Sequence, residues 1–202
     1  MTSPKIKLCG LSREADIQAV NQLHPDYIGF VFFEKSSRYV SPDRARKLKA
    51  LLAPGIQAVG VFVDEDPAFV AQLLDSGIID LAQLHGHEDE EYIAALRKLT
   101  AKPLIQAFKI SNLEDVHRAE QSSADYILLD HGAGGTGQAF DWSLIQSVQR
   151  PYFLAGGLHP NNVQDAVHSL HPYALDVSSG IEKEKVKDPQ KMQLFVERAR
   201  EA

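Results

Sequence analysis

Gln57-Ala58-Val59-Gly60-Val61-Phe62-Val63, closed by Asp64, and Leu81-Ala82-Gln83-Leu84, closed by His85, bracket a segment of different character. Between them Asp66-Pro67 opens a stretch in which Phe69, Val70, Leu73 and Leu74 form an apolar stripe, and Ser76-Gly77 ends it. Neither apolar run alternates strictly with polar residues, the pattern of parallel strands covered on both faces. The stripe has the i, i+3, i+4 spacing of one helix face, and Asp before Pro is an N-cap followed by the first helical position. Residues 57–85 therefore read as strand, helix, strand.

The same unit recurs along the chain. Lys5 to Leu8, Tyr27 to Phe33, Leu104 to Phe108, Tyr126 to Leu129, Tyr152 to Leu154 and Ala174 to Val177 complete a set of eight runs, spaced at about 25 residues, a lean spacing for βα units. Helical stripes fall between them at Ala45-Leu48-Leu51-Leu52, Ile93-Leu96-Leu99 and Phe195-Val196-Ala199. Ser41-Pro42, His159-Pro160 and Asp188-Pro189 place Pro at helix starts, and Pro54-Gly55 and Lys102-Pro103 break connections. Ser143 to Gln149 leaves room for only a short sixth helix. Eight strands alternating with helices predict a closed parallel (βα)8 barrel of the TIM-barrel class, one domain over residues 1–202. That fold puts its working groups at the carboxyl ends of strands.

Composition narrows the function. Lys plus Arg (21) against Asp plus Glu (27) gives a net charge of −6 with no basic block, which argues against a nucleic-acid partner. No apolar run approaches a membrane span and Met1-Thr2-Ser3-Pro4-Lys5 has no apolar signal core, so a cytoplasmic location is expected. One cysteine excludes an internal disulfide or a Cys-x-x-Cys pair. The eight histidines are scattered, with His85 and His87 the one close pair, so no metal is expected. The predicted outer helices show no heptad seam, and a monomer is expected.

The strand ends carry the chemistry. Cys9, in Lys7-Leu8-Cys9-Gly10, is either a core filler or a proton-transfer or nucleophilic group whose pKa nearby positive charge can lower. Asp130, ending Tyr126-Ile127-Leu128-Leu129-Asp130, either bonds loop amides or works as an acid or base. Arg38, after Lys35-Ser36-Ser37, is a solvated loop charge or a bidentate holder of a carboxylate. His85 either reaches a substrate or caps its strand. Leu154-Ala155-Gly156-Gly157-Leu158 and Val177-Ser178-Ser179-Gly180-Ile181-Glu182 close the last two strands with small residues, and exposed backbone N–H groups and serine hydroxyls there suit a phosphate. Gly132-Ala133-Gly134-Gly135-Thr136-Gly137 satisfies G-x-G-x-x-G in letters only. No helix opens at Gly137 and no acid follows at the ribose-binding distance, so a closing loop is the better reading than a dinucleotide site.

Taken together, these motifs resemble the phosphoribosylanthranilate isomerase family of tryptophan biosynthesis. The likeness rests on Lys7-Leu8-Cys9-Gly10, Gly29-Phe30-Val31-Phe32 with Lys35-Ser36-Ser37-Arg38, Val59-Gly60-Val61-Phe62, Gln83-Leu84-His85-Gly86 and Leu128-Leu129-Asp130. It continues through Gly134-Gly135-Thr136-Gly137 with Phe140-Asp141-Trp142, the Gly156-Gly157 turn and Asp176-Val177-Ser178-Ser179-Gly180-Ile181-Glu182. The resemblance implies an Amadori rearrangement of N-(5′-phosphoribosyl)anthranilate, the third step from chorismate to tryptophan, with no cofactor. It implies Cys9 as general base, active as thiolate at neutral pH, and Asp130 as protonated general acid. It implies Arg38 against the anthranilate carboxylate, His85, Gly135 and Asp176 against the substrate, and Gly156, Gly157, Ser178, Ser179 and Gly180 around the phosphate. Leu8 and Ser37 depart from the commoner Ile and Pro, and the second loosens the Arg38 loop. Two other readings compete: the aminoaldose isomerase of histidine biosynthesis, which has aspartate at the first strand end and two phosphate sites, and a non-catalytic phosphate-binding barrel, which would have no reason to keep Cys9 and Asp130.

Overall fold

Eight parallel strands close on themselves in chain order in the computed structural model, which describes residues 3–130 and 142–202. They are β1 (Lys5–Cys9), β2 (Tyr27–Val31), β3 (Gln57–Phe62), β4 (Leu81–Leu84), β5 (Leu104–Lys109), β6 (Tyr126–Asp130), β7 (Tyr152–Leu154) and β8 (Ala174–Val177). The barrel shuts where β1 pairs with β8, Lys7 opposite Asp176. Seven α-helices among the described residues cover it: α1 (Glu14–Leu23), α2 (Pro42–Ala50), α3 (Pro67–Asp75), α4 (Glu90–Arg97), α5 (Leu113–Glu120), α6 (Val163–Leu170) and α7 (Pro189–Glu201). A small hairpin, β9 (Glu182–Lys183) and β10 (Val186–Lys187), follows β8.

Strand periodicity separates two cores. Outward residues such as Leu8, Ile28, Phe62, Leu84, Ile127 and Leu129 pack under the helices. Inward residues Val59, Leu81, Ile105, Leu128 and Phe153 fill the barrel. Below them, toward the strand starts, Phe153 meets the rings of Tyr27, Tyr126 and Tyr173 with centroids 5.5–5.7 Å apart. The Tyr27 and Tyr173 hydroxyls share a 3.0 Å hydrogen bond, so the polar ends of these rings are satisfied inside the packing. Continuing the same alternation upward turns Cys9, Gln83, Asp130 and Asp176 toward the barrel mouth.

Three of the four helix starts read from Pro hold: Ser41 accepts from Arg44 N–H, Asp66 from Ala68 N–H, and Asp188 from Gln190 and Lys191 N–H. The fourth does not. Asn162 spans the residues after β7, its Oδ1 accepting from His159 N–H at 2.8 Å and its Nδ2 donating to Gly157 O at 3.1 Å, so α6 begins only at Val163. Among the described residues between β6 and β7, a 3₁₀ turn, Trp142–Ile145, stands in place of the expected short α-helix. Two apolar stripes overrun their helices, and Leu51 and Leu99, beyond the ends of α2 and α4, are half exposed.

Candidate active site

Cys9, Arg38, His85, Asp130, Gly156, Gly157, Asp176, Ser178 and Ser179 all line one cavity of about 370 Å³ at the carboxyl ends of the strands, within the size range of small-molecule sites. Val31, Val61, Val63 and Ala155 give it apolar walls. Gly180 lies outside the lining. It is needed for packing, since a Cβ there would collide with the Leu158 carbonyl oxygen, which brings the turns after β7 and β8 into direct contact. Gly135 and the rest of the 132–137 glycine loop fall outside the described residues.

Cys9 ends β1 almost wholly buried, and burial pushes its thiol above the ordinary value. Lys7, two residues earlier on the same inward face, pulls the other way, as does Lys187, while Asp176 adds to the rise. The balance is upward, burial outweighing the two lysines. Lys7 is fully buried and donates to Asp176 Oδ1 at 3.0 Å. Burial would lower its pKa, but Asp176 and an ionised Cys9 sulfur raise it, and the net direction is upward.

Asp130 ends β6, and its Oδ2 stands 3.6 Å from His85 Nε2. Gln83 lies one inward step below His85, and its Nε2 donates to His85 Nδ1 at 2.7 Å. With Nδ1 accepting, the neutral imidazole carries its proton on Nε2, toward Asp130. His85 thus joins the cavity wall and does more than cap its strand.

Arg38 is not a solvated loop charge. It donates Nε–H to Glu182 Oε1 at 2.6 Å and Nη2–H to Oε2 at 2.7 Å, a fork that raises its own pKa. Glu182 also accepts from Lys187 Nζ at 2.6 Å. Burial would raise the Glu182 pKa, but the two cations more than offset it and hold the carboxylate below its ordinary range.

Gly156 and Gly157 have φ of 84° and 74°, successive left-handed residues that only glycine adopts without strain. Among the described residues, no hydrogen bond engages their N–H groups. Beside them Ser178 precedes the 3₁₀ turn Ser179–Ile181. Backbone N–H groups and two serine hydroxyls thus share one wall of the cavity, the kinds of donor that suit an anion.

Sequence reasoning missed Lys7, Gln83, Glu182 and Lys187 as parts of this arrangement. Lys7 and Gln83 did leave a signal, being polar residues inside apolar runs with the same parity as Cys9 and His85. Glu182 and Lys187 left none: Glu182 meets Arg38 from 144 residues away in the chain, and Lys187 joins the cluster through Glu182.

Residues 6–198 match the family model described as N-(5′-phosphoribosyl)anthranilate (PRA) isomerase. A protein of Endomicrobium trichonymphae named N-(5′-phosphoribosyl)anthranilate isomerase is 42% identical over 94% of this chain and 94% of its own. The crystal structure of the phosphoribosyl anthranilate isomerase of Thermotoga maritima superposes with a TM-score of 0.91 at 35% identity, covering 98% of this chain and 100% of that one. A further isomerase structure, solved with reduced 1-(o-carboxyphenylamino)-1-deoxyribulose 5-phosphate, gives a TM-score of 0.87 at 34% identity, again over 98% and 100%. With the family model spanning nearly the whole barrel and its strand-end residues gathered on one cavity, this chain belongs to the phosphoribosylanthranilate isomerase family.

Proposed function

We propose that the cavity converts N-(5′-phosphoribosyl)anthranilate into 1-(2-carboxyphenylamino)-1-deoxyribulose 5-phosphate, the third step from chorismate to tryptophan in the cytoplasm. The observation that carries this reading is that a lone thiol and a carboxyl from different strands, Cys9 and Asp130, share one small cavity with the Gly156-Gly157 and Ser178-Ser179 turns. Asp130 protonates the furanose ring oxygen as the C1′–O bond opens, leaving an iminium at C1′. Cys9 then removes the C2′ proton, and the electrons of that C–H bond neutralise the iminium to give an enolamine, which tautomerises to the aminoketose. Every atom of the product comes from the substrate, so the reaction needs no cofactor.

Binding does the remaining work. The Gly156-Gly157 and Ser178-Ser179 turns hold the phosphate and Arg38 the anthranilate carboxylate, fixing the sugar between the two proton-transfer groups. His85 and Asp176 face the same substrate. As general base Cys9 acts as thiolate, which Lys7 and Lys187 favour electrostatically. The histidine-pathway isomerase is disfavoured because cysteine, not aspartate, ends β1.

The decisive measurement follows the anthranilate fluorescence of freshly made substrate with purified protein and no added metal or cofactor. Loss of fluorescence at a rate proportional to enzyme is expected, and persistence of the signal would sink the reading.

A further inference from the structure

The proton-transfer scheme gives no part to Glu182, the centre of a charge cluster at the rim of the barrel. Glu182 opens β9 with its side chain only 6% exposed and receives both arms of the Arg38 fork and the Lys187 ammonium. Lys187, 3% exposed, directs its other donors to Ser178, reaching the carbonyl oxygen at 2.8 Å and Oγ at 3.2 Å. Ser178 Oγ in turn donates to Cys9 O at 3.2 Å. An unbroken series of bonds thus runs Arg38, Glu182, Lys187, Ser178. Its two ends come from the loops after β2 and β8, which flank β1, and they meet over Gly10. A Cβ on residue 10 would lie 2.5 Å from Arg38 Cδ and 3.2 Å from Ser178 Oγ.

Cohesion alone is a poor reason for this cluster. Taking the Glu182 and Lys187 charges out of water is costly, and apolar residues of similar volume often stabilise as well or better. Two cations on one carboxylate leave one net positive charge at the cavity edge. The Glu182 fork takes the Nε and Nη2 edge of the guanidinium, which leaves the Nη1 side of Arg38 for a second carboxylate.

We propose that Glu182 is a positioning residue which, through Lys187, holds Arg38 at a fixed separation from the Ser178 turn, so that the site selects substrates by the distance between a carboxylate and a phosphate. The inference rests on the reading above, in which Arg38 takes the carboxylate and the Ser178 turn the phosphate. A ligand with only one of these groups gains nothing from the spacing.

The test compares wild type, Glu182→Gln, Arg38→Ala and the double variant with phosphoribosylanthranilate. Glu182→Gln should raise KM about tenfold while kcat stays within about threefold, the mark of lost binding shared by ground and transition states. Arg38→Ala should add no more than about threefold to KM when Glu182→Gln is already present, because the two substitutions remove one interaction. Full additivity, or a fall in kcat at constant KM, overturns the proposal. If Glu182→Gln does not fold, Glu182→Gln with Lys187→Met removes the buried pair as a unit and should show the same rise in KM. A readout independent of turnover is the Arg38 Nε–H resonance in a ¹⁵N–¹H spectrum. It should be protected from exchange in wild type and lost in Glu182→Gln, and its absence from wild type also overturns the proposal. An inert wild-type enzyme with a protected Nε–H would instead count against the functional reading.

Discussion

Gly29 on β2 stands directly across the strand pair from Cys9 on β1, and a Cβ at residue 29 would lie 2.5 Å from the Cys9 sulfur. The thiol therefore occupies space that any other residue would fill. Gly29→Ala should push the sulfur off its place and lower kcat by about tenfold or more, since small misplacements of a reacting group cost rate steeply. Steady-state kinetics beside a melting curve checks this, and a variant with normal kcat would show that the thiol position does not matter.

Removing either proton-transfer group should be worse. Cys9→Ser and Asp130→Asn should each lower kcat by at least about 10², in line with general acid–base contributions. Arg38→Ala should act mainly through KM. Single-turnover fluorescence separates chemistry from binding, and normal turnover by the Cys9 variant would remove the thiol from the mechanism.

Lys7 offers a test without substrate. Cys9 is the one cysteine in the chain, so iodoacetamide reports on it alone. Lys7 lowers the thiol pKa more than Asp176 raises it. Lys7→Met with Asp176→Asn removes both charges together and should move the pH profile of alkylation to higher pH. An unmoved profile would mean that the Lys7 charge does not reach the sulfur.

Acid should unfold the protein partly through Glu182. Its folded pKa lies below the ordinary 4.5, so its stabilisation is complete above that value and drains away as pH falls through the lower folded pKa. Glu182→Gln should melt below wild type near neutrality and converge with it in acid. Melting temperatures measured from neutral to acidic pH decide the point, and parallel curves would contradict it.

At the opposite end of the barrel Phe153 is fully buried among three tyrosine rings. Phe153→Ala should cost about 3–5 kcal/mol of stability in urea unfolding, as for large-to-small changes in tight cores. KM should remain within about twofold. A comparable loss of substrate affinity would show that the two ends of the barrel are mechanically linked.

The barrel is legible because parallel strands buried on both faces leave continuous apolar runs, and the strand-end rule then singles out Cys9, His85 and Asp130. Alternation carries no information about closure, however. Lys7 and Asp176 are 169 residues apart and meet only because β8 returns to β1. Periodicity also overstates helices, as Leu51 and Leu99 show, because an apolar side chain at a helix end can be left in water. The late start of α6 arises from side-chain bonds of Asn162 that compete with helix formation, which Pro160 alone could not reveal. Burial of the Cys9 thiol by neighbouring strands, which lifts its pKa, is likewise invisible in the order of residues.

The contact between the turns after β7 and β8, where Gly180 has no room for a side chain beneath the Leu158 carbonyl, has an evolutionary consequence. Neither turn can lengthen or drift without the other, so insertions that tailor a barrel to new ligands are barred from this quarter of the rim. Any variation in what the barrel admits must then come from the rest of its mouth.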